Sequence, residues 1–413
     1  MNNIRVFLSR VKEYGLLYVL KIIYKNKLVR PVNRGVQTVC NYIFRKSKLK
    51  DVIIIESHND FDCNGGAFYE YLINNGYNEK YSIIWLIKNK PPKNLPSNVK
   101  CFNIFRPSFK KSYYICVAKY FTADNVITDK VKKEQKSFFL THGAGGFKNI
   151  KGKMIIPDSV DYILLQSEKY APIQAYQYSL EWPSDRIVFL GYPGHDILNS
   201  NDNNEVIKVT STKYRKVILW MPTFRKGGGE WRNDSAVEQP LGIPLINSFD
   251  EYAEINEYLK CNDALLIIKI HPMQEKTTVK IKGLSNIAVL TKDDVKRLGV
   301  DNYRLMSCVD ALISDYSGAA YEFLQVNKPI AYITSDIDDY KIGFVVDDIT
   351  ELMGGQQIST ISDFKKFLYD VFIGGDIYMN KRTSIREYIY KYNDADNCRR
   401  LADFMGLEKQ RSL

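Results

Sequence analysis

All four histidines of the 413-residue chain follow a short apolar run. His58 comes after DVIIIES and His142 after SFFLT, whereas His195 and His271 come after IVFLGYPG and LLIIKI. Such runs are typical of buried parallel strands, and open parallel sheets bind ligands beyond the carboxyl ends of their strands. An isolated histidine there is more often capped by backbone. Four in equivalent positions favour a catalytic cleft, because an imidazole can exchange a proton near neutral pH.

Two of these histidines have neighbours that matter for chemistry. His142 opens the turn HGAGGFK, where Gly143 would let a ligand approach the backbone closely and Lys148 follows. Lys269 lies two residues before His271 in one strand, so the two side chains point to the same face. We therefore predict that His142 and His271 line one cleft, with His58, Lys148 and His195 nearby.

The segment ALISDYSGAAYEFL, residues 311–324, predicts a strand, a tight turn and a helix. Ser317 is placed as the N-cap, so that the first helical N–H groups beside Gly318 would face the cleft. Such a site suits phosphate. Glu322 lies one turn into the helix and could reach a ribose hydroxyl. Ordinary capping by Asp315 and Ser317 is the alternative interpretation.

A second cationic position follows another strand, in WMPTFRKGGGEWR at residues 220–232. Thr223 and Arg225 are predicted at the mouth of the cleft, where arginine would give forked hydrogen bonds to phosphate. An ordinary surface arginine is the alternative interpretation.

Short apolar runs alternate with helical patterns from residue 51 onward, which indicates βαβ units and parallel sheets. The polar, Asn-rich stretch at 199–215 interrupts the series and reads as a linker. We therefore predict an α/β fold of two Rossmann-like domains facing a cleft. The predicted units are a basic helical segment at 1–50, an acceptor domain at 51–205, a donor-nucleotide domain at 206–375 and C-terminal helices at 376–413.

The formal charge of +11 is concentrated at one end of the chain. Residues 1–50 hold 12 Lys/Arg and one acidic residue, which leaves 46 basic and 46 acidic groups elsewhere. A neutral remainder argues against nucleic acid as a partner. The basic segment is also apolar, so we expect an amphipathic helix lying on an anionic membrane surface. The alternative is a helix packed on its own domain.

Metal and disulfide sites are not expected. Seven cysteines are scattered without a CxxC pair, a reduced, cytosolic pattern that supplies no zinc site. Neither a resident cofactor nor an essential metal is indicated, although Asp124 and Asp315 could hold Mg²⁺.

Six short motifs occur in an order that resembles one known family. They are THGAGGFK, GYPGHDIL, MPTFR, IKIHP, ISDYSGAAYEF and AYITSDIDDYKIGF, spread over about residues 50–350. The family is that of the CDP-glycerol glycerophosphotransferases, the teichoic acid primases and polymerases. The resemblance implies a glycosyltransferase-B-like fold, a CDP-alcohol bound mainly by the second domain, and peripheral attachment to the cytoplasmic face of the bacterial membrane.

The resemblance also implies residue roles. His142 would be the general base and His271 a donor-phosphate partner. The donor contacts implied by the resemblance would be Thr223, Arg225, Ser317, Gly318 and Glu322. Their predicted position in the cleft adds three further donor contacts, Gly143, Lys269 and Asp315. Three motifs depart from the family: HG-Ala-Gly replaces HG-Thr-Pro, Gly318 replaces a second serine, and GYPGHD replaces GYPRND.

The implied reaction transfers glycerol phosphate, or ribitol phosphate, from a CDP-alcohol to a hydroxyl of a membrane-linked glycan or polyol-phosphate acceptor. CMP leaves. One alternative is a glycosyltransferase of the same fold that uses a nucleotide sugar for capsule or lipid-linked glycan synthesis. Another is a catalytically silent membrane scaffold, which predicts no nucleotide binding.

Overall fold

The structure is a computed structural model, and it describes residues 11, 15–142, 146–200, 204–225, 234–235, 237–274 and 278–410. Gly143 of the predicted site therefore lies outside the described residues. The first helices with described bounds are α1 (Leu16–Tyr24) and α2 (Arg30–Ile43), joined by a π-helical segment at Lys25–Val29. Within the described part of the chain, no helix is long and apolar enough to cross a bilayer.

The first sheet has seven strands in the order β3-β2-β1-β4-β5-β6-β7, and every neighbouring pair is parallel. The strands are β1 (Lys50–Glu56), β2 (Ser82–Ile87), β3 (Val99–Asn103), β4 (Ala118–Ala123), β5 (Lys136–Phe139), β6 (Tyr162–Leu164) and β7 (Ile187–Val188). Its helices are α3 (Cys63–Asn74), α4 (Phe109–Val117), α5 (Ala171–Gln177) and α6 (Pro193–Leu198).

Burial explains why these runs form central strands. Ile53, Ile55, Ile83 and Trp85 are fully buried, so consecutive apolar residues are covered on both faces of the sheet. The strands predicted before His58, His142 and His195 are confirmed as β1, β5 and β7. Helix α2 packs against α4, and the amide of Asn33 donates to the carbonyl of Ile104 at 3.1 Å.

The second sheet has six parallel strands in the order β10-β9-β8-β11-β12-β13. They are β8 (Lys216–Trp220), β9 (Ala264–Lys269), β10 (Ile287–Leu290), β11 (Ala311–Ser314), β12 (Ile330–Ile333) and β13 (Gln356–Ile358). The flanking helices are α7 (Phe249–Cys261), α8 (Lys292–Leu298), α9 (Asn302–Cys308), α10 (Gly318–Phe323) and α11 (Ile361–Ile373). The two α/β halves confirm the predicted fold class.

The C-terminal helices are α12 (Met379–Ile389) and α13 (Asn397–Met405). The chain returns to the first domain after α12, where the backbone N–H of Lys391 donates to the carbonyl of Gln166. The carboxylate of Asp196 accepts from the backbone N–H groups of Asn397 and Cys398, each at 2.8 Å. Helix α13 is thereby held on the first sheet's side of the molecule.

Candidate active site

The first lip of the cleft is the turn that follows β5. The Asn64 amide donates to the carbonyls of Leu140 and Thr141 at 3.1 and 2.9 Å, from inside helix α3. Thr141 has a φ of 58°, a left-handed conformation that is unfavourable for a β-branched residue. Strain of this kind is concentrated at functional sites and requires support from the surrounding structure. This turn places His142 at the cleft.

The His142 ring is exposed to the cleft, yet protein walls restrict its hydration. The restricted hydration is the main cause, and the neighbouring His58 the second, that lowers the pKa of His142 to about 4. His58 lies after β1, and the two imidazole rings stack with centroids 4.1 Å apart. The first lip therefore presents a neutral imidazole at pH 7, which is the form that can accept a proton.

The two domains meet closely just after this turn. A Cβ added to Gly146 would lie 3.0 Å from the Cα of Gly318, so only glycine permits this approach. Lys148 forms an antiparallel β-bridge with Phe344, and its ammonium lies 5.7 Å from the centre of the Phe224 ring. Residues on both sides of the predicted cleft are thus brought together.

The second lip contains a buried ionic cluster, and here the structure corrects the predicted position of Arg225. Its guanidinium is not at the cleft mouth but buried, donating to Asp315 at 2.7 Å and to Asp336 at 2.6 and 2.9 Å. Burial alone would lower the pKa of Arg225, but the two carboxylates outweigh it and raise the pKa. The arginine neutralises acidic groups inside the domain, as buried charges require partners.

Asp315 also fixes the loop that carries Thr223. Both its carboxylate oxygens accept from the Thr223 backbone N–H, at 3.1 and 2.9 Å. The hydroxyl Oγ1 of Thr223 is buried and has no hydrogen-bond partner in the described residues. A buried hydroxyl of this kind can serve a ligand, because leaving it unpaired costs free energy.

Lys269 and His271 lie at the end of β9, as predicted. Lys269 is buried, and its ammonium makes no hydrogen bond or ion pair with any described residue. Burial lowers the pKa of Lys269, while Asp62 across the cleft acts in the opposite direction. The half-buried ring of His271 packs on Phe224, with centroids 4.8 Å apart. A dehydrated lysine facing the other domain is suited to a phosphate oxygen.

Ser317 caps the short helix α10, as predicted, with its hydroxyl accepting from the Ala319 N–H at 3.2 Å. Glu322 was expected to face the cleft, but it is buried, and its carboxylate is hydrogen-bonded to Nε2 of His195. His195 was also expected at a strand end, whereas it lies inside helix α6. This contact joins the first domain to the second.

Three contributing residues were not predicted. Asp336 follows β12 and could have been found, because it occupies the same kind of strand-end position as the other site residues. Asn64 and Asp62 carry no such signal, since they lie in or beside a helix start. Asp62 caps α3 by accepting from the Cys63 N–H at 2.7 Å.

The carboxylates proposed for Mg²⁺ are both engaged with protein donors. Asp124 accepts from Ser57 Oγ at 2.6 Å, from the His58 N–H at 2.6 Å and from the Gly65 N–H at 3.1 Å. The described ranges contain no group of three or more His, Cys, Asp or Glu side chains placed to hold a metal ion. All seven cysteines lie in these ranges as free thiols.

Two parallel-sheet domains that meet at a cleft give the chain a glycosyltransferase-B-like architecture. The chain shares this fold with the wall teichoic acid polymerase TagF, at a TM-score of 0.69 and 19% identity, with 98% of this chain and 97% of that chain covered. Residues 39–406 match the family model of the CDP-glycerol:poly(glycerophosphate) glycerophosphotransferases. The chain belongs to this family and is therefore a phosphotransferase.

Curated relatives agree with this placement. The chain is 26% identical to the teichoic acid poly(glycerol phosphate) polymerase of Bacillus spizizenii, over 77% of this chain and 81% of that protein. It is 25% identical to the teichoic acid glycerol-phosphate primase of Bacillus subtilis, over 66% of this chain and 69% of that protein. The resemblance read from the six motifs is confirmed.

Proposed function

We propose that the protein transfers a polyol phosphate, glycerol phosphate or ribitol phosphate, from a CDP-alcohol to a hydroxyl of a membrane-linked glycan or polyol-phosphate acceptor. The observation that carries this proposal is that one carboxylate, Asp62, acts electrostatically both on the exposed neutral imidazole of His142 and on the buried residue Lys269. The imidazole is a proton acceptor and the lysine a phosphate ligand. Family membership and the names of its relatives support the same reaction class.

The acceptor hydroxyl attacks the β-phosphorus of the donor as His142 takes its proton. A new P–O bond forms, the bond from the β-phosphorus to the bridging oxygen breaks, and CMP leaves with that oxygen. Negative charge grows on the phosphoryl oxygens, so that positioned cations and N–H groups stabilise the transition state. Lys269, His271 and the Thr223 hydroxyl are the groups assigned to the donor phosphates.

Binding of the CDP-alcohol would also change the pKa of His142. A pKa of about 4 makes His142 a weak proton acceptor in the free enzyme. The two phosphates of a CDP-alcohol would add negative charge nearby and raise that pKa toward neutrality. The base would then become effective only when the donor is in place.

A donor panel tests the proposal. The protein is incubated with CDP-glycerol, CDP-ribitol, UDP-sugars or CMP-sugars and an acceptor, and the product mass and the released nucleotide are measured. We expect CMP release with a polyol-phosphate mass increment. Thermal stabilisation by UDP but not by CMP or CDP would instead indicate a nucleotide-sugar glycosyltransferase. No nucleotide binding at all would indicate a non-catalytic scaffold.

We also propose that the N-terminal helices hold the protein on the cytoplasmic face of the bacterial membrane. Apolar side chains of this segment are exposed, among them Leu17 at 76% and Leu28 at 53%. They alternate with lysines and arginines, the pattern of an interfacial helix on anionic lipid.

Vesicle flotation with anionic liposomes tests the membrane proposal. We expect the double variant Leu17→Ser/Leu28→Ser to lose most of its lipid binding. The control is Ile377→Ser, which removes a side chain that is 83% exposed and lies outside this segment, just before helix α12. Equal binding of the double variant and the wild type would contradict the proposal.

A further inference from the structure

The ring that stacks on His142 belongs to His58, which none of the six family motifs includes. The two imidazoles lie 4.1 Å apart between centroids, with 25° between their planes. Both rings are exposed to the cleft rather than packed in a core. Each approaches from a different strand end, His58 from β1 and His142 from β5. The stack is therefore assembled by the sheet and not by local sequence.

His58 itself is held firmly in place. Its backbone N–H donates to the buried carboxylate of Asp124 at 2.6 Å. The ammonium of Lys88 donates to the carbonyls of Ser57 and His58 at 2.8 and 2.7 Å. The Asn125 amide nitrogen lies 2.7 Å from Nδ1 of the His58 ring. With Nδ1 accepting from this amide, the neutral ring carries its proton on Nε2.

Charged groups from both domains surround the pair. Restricted hydration comes first among the causes that lower the pKa of His142, followed by His58 and, more weakly, Lys88, whereas Asp62 and Glu322 oppose them. Restricted hydration also lowers the pKa of His58, with Lys88 and Lys292 acting in the same direction and Asp62 against them. Two stacked rings resist carrying two protons, because like charges at this distance repel.

We infer that His58 is a positioning residue for His142: its anchored ring forms the face that orients the base toward the acceptor hydroxyl. The inference rests on the proposed function, because it assigns His142 the role of base. His58 makes no contact with the reacting atoms in this account. Its ring supplies orientation, and its own protonation in acid suppresses a second proton on His142.

Two substitutions separate these contributions. His58→Ala removes the ring, so we expect kcat to fall about 10-fold, since a misplaced catalytic group is slow, while the KM for CDP-glycerol stays near its normal value. His58→Phe keeps a flat ring without the titratable nitrogens, so kcat at neutral pH should be largely restored. Val126→Ala, an exposed change beside Asn125, serves as the control.

The pH profile supplies a readout that a merely structural role would not move. His142 works as a base only when unprotonated, so activity falls below its pKa. Without a proton on residue 58, His142 binds its own proton more readily. The acid limb of the kcat profile should therefore move to higher pH by about one unit in both variants. Circular dichroism and melting curves check that both variants fold.

Each outcome is informative. Unchanged kcat and an unchanged acid limb in folded His58→Ala would overturn the inference. If His142→Ala nevertheless loses turnover, the proposed function stands without a role for His58. If His142→Ala also keeps normal turnover, the proposed role of His142 fails first.

Discussion

The turn at His142 and the segment GYPGHD, residues 191–196, both follow strands of the first domain, but the structure gives them opposite environments. The His142 ring is open to the cleft and touches another exposed ring. The His195 ring is buried and hydrogen-bonded to Glu322 of the second domain. A histidine near a strand end can thus serve either chemistry or domain association, and its burial and partners distinguish the two.

GYPGHD is a junction of three parts of the chain. Gly194 packs against Tyr303 of helix α9, and His195 against Glu322 of helix α10. Asp196 holds the start of helix α13. The two departures from the family motif, at residues 194 and 195, both face the second domain. They therefore alter how the domains meet more directly than they alter the His142 lip.

The largest stability effect is expected for His195→Ala. The substitution removes a buried ring from a buried carboxylate, and breaking such a pair costs about 3 kcal/mol. Urea unfolding measures the change in free energy. The matched control is His271→Ala at a half-buried ring, where we expect a loss of about 1 kcal/mol or less. Equal losses of unfolding free energy in the two variants would contradict the proposed difference between the half-buried and the buried histidine.

A smaller loss is expected for Gly194→Ala. The added Cβ would lie 2.6 Å from a ring carbon of Tyr303, an overlap that should cost about 2 kcal/mol. Gly35→Ala is the control, because no atom lies within 4 Å of the added Cβ there. A double variant with Tyr303→Ala should recover part of the loss beyond the sum of the single effects. Strict additivity in the urea curves would show that the two positions are not coupled.

The smallest effect concerns pH and Glu56, the last residue of strand β1, which leads to His58. Burial raises the pKa of Glu56 to about 7, against the opposing hydrogen bond from Thr128. The native state therefore binds this proton more tightly than the unfolded chain does. Stability from this group is present at low pH and is lost as pH rises through about 7. Lowering the pH from about 7.0 to 6.0 should gain about 1 kcal/mol through Glu56.

Glu56→Gln provides the comparison for that prediction. The variant cannot titrate at this position, so its unfolding free energy should vary less between these two pH values than that of the wild type. Parallel pH dependence in the two proteins would show that Glu56 titrates alike in the folded and unfolded states.

The fold was predictable because its strands are continuous apolar runs. DVIIIES and LLIIKI cannot be accommodated in a half-exposed sheet, and both became central strands. Strand β13 was missed, because QQI is short and mostly polar. The crossing of α13 to the first domain was also missed, since it depends on Asp196 meeting residues two hundred positions away in sequence, at 397 and 398.

The position of a residue at the end of a strand predicted whether it lies near the cleft, but not the direction in which its side chain points. Arg225 and Thr223 follow the same strand, yet the arginine is turned inward by Asp315 and Asp336. Glu322 is turned to His195 in the same way. Such pairings join distant segments, and the order of residues along one chain does not reveal them.

The most direct test of the account is the turnover of His142→Ala with saturating CDP-glycerol and acceptor, followed by CMP release. The account predicts that kcat falls about 10²–10⁴-fold, the usual cost of losing a general base. It also predicts unchanged urea stability and unchanged affinity for CDP-glycerol, because the ring is exposed and lies on the acceptor side. Near-normal turnover would contradict the account, and so would a loss of activity that merely follows unfolding.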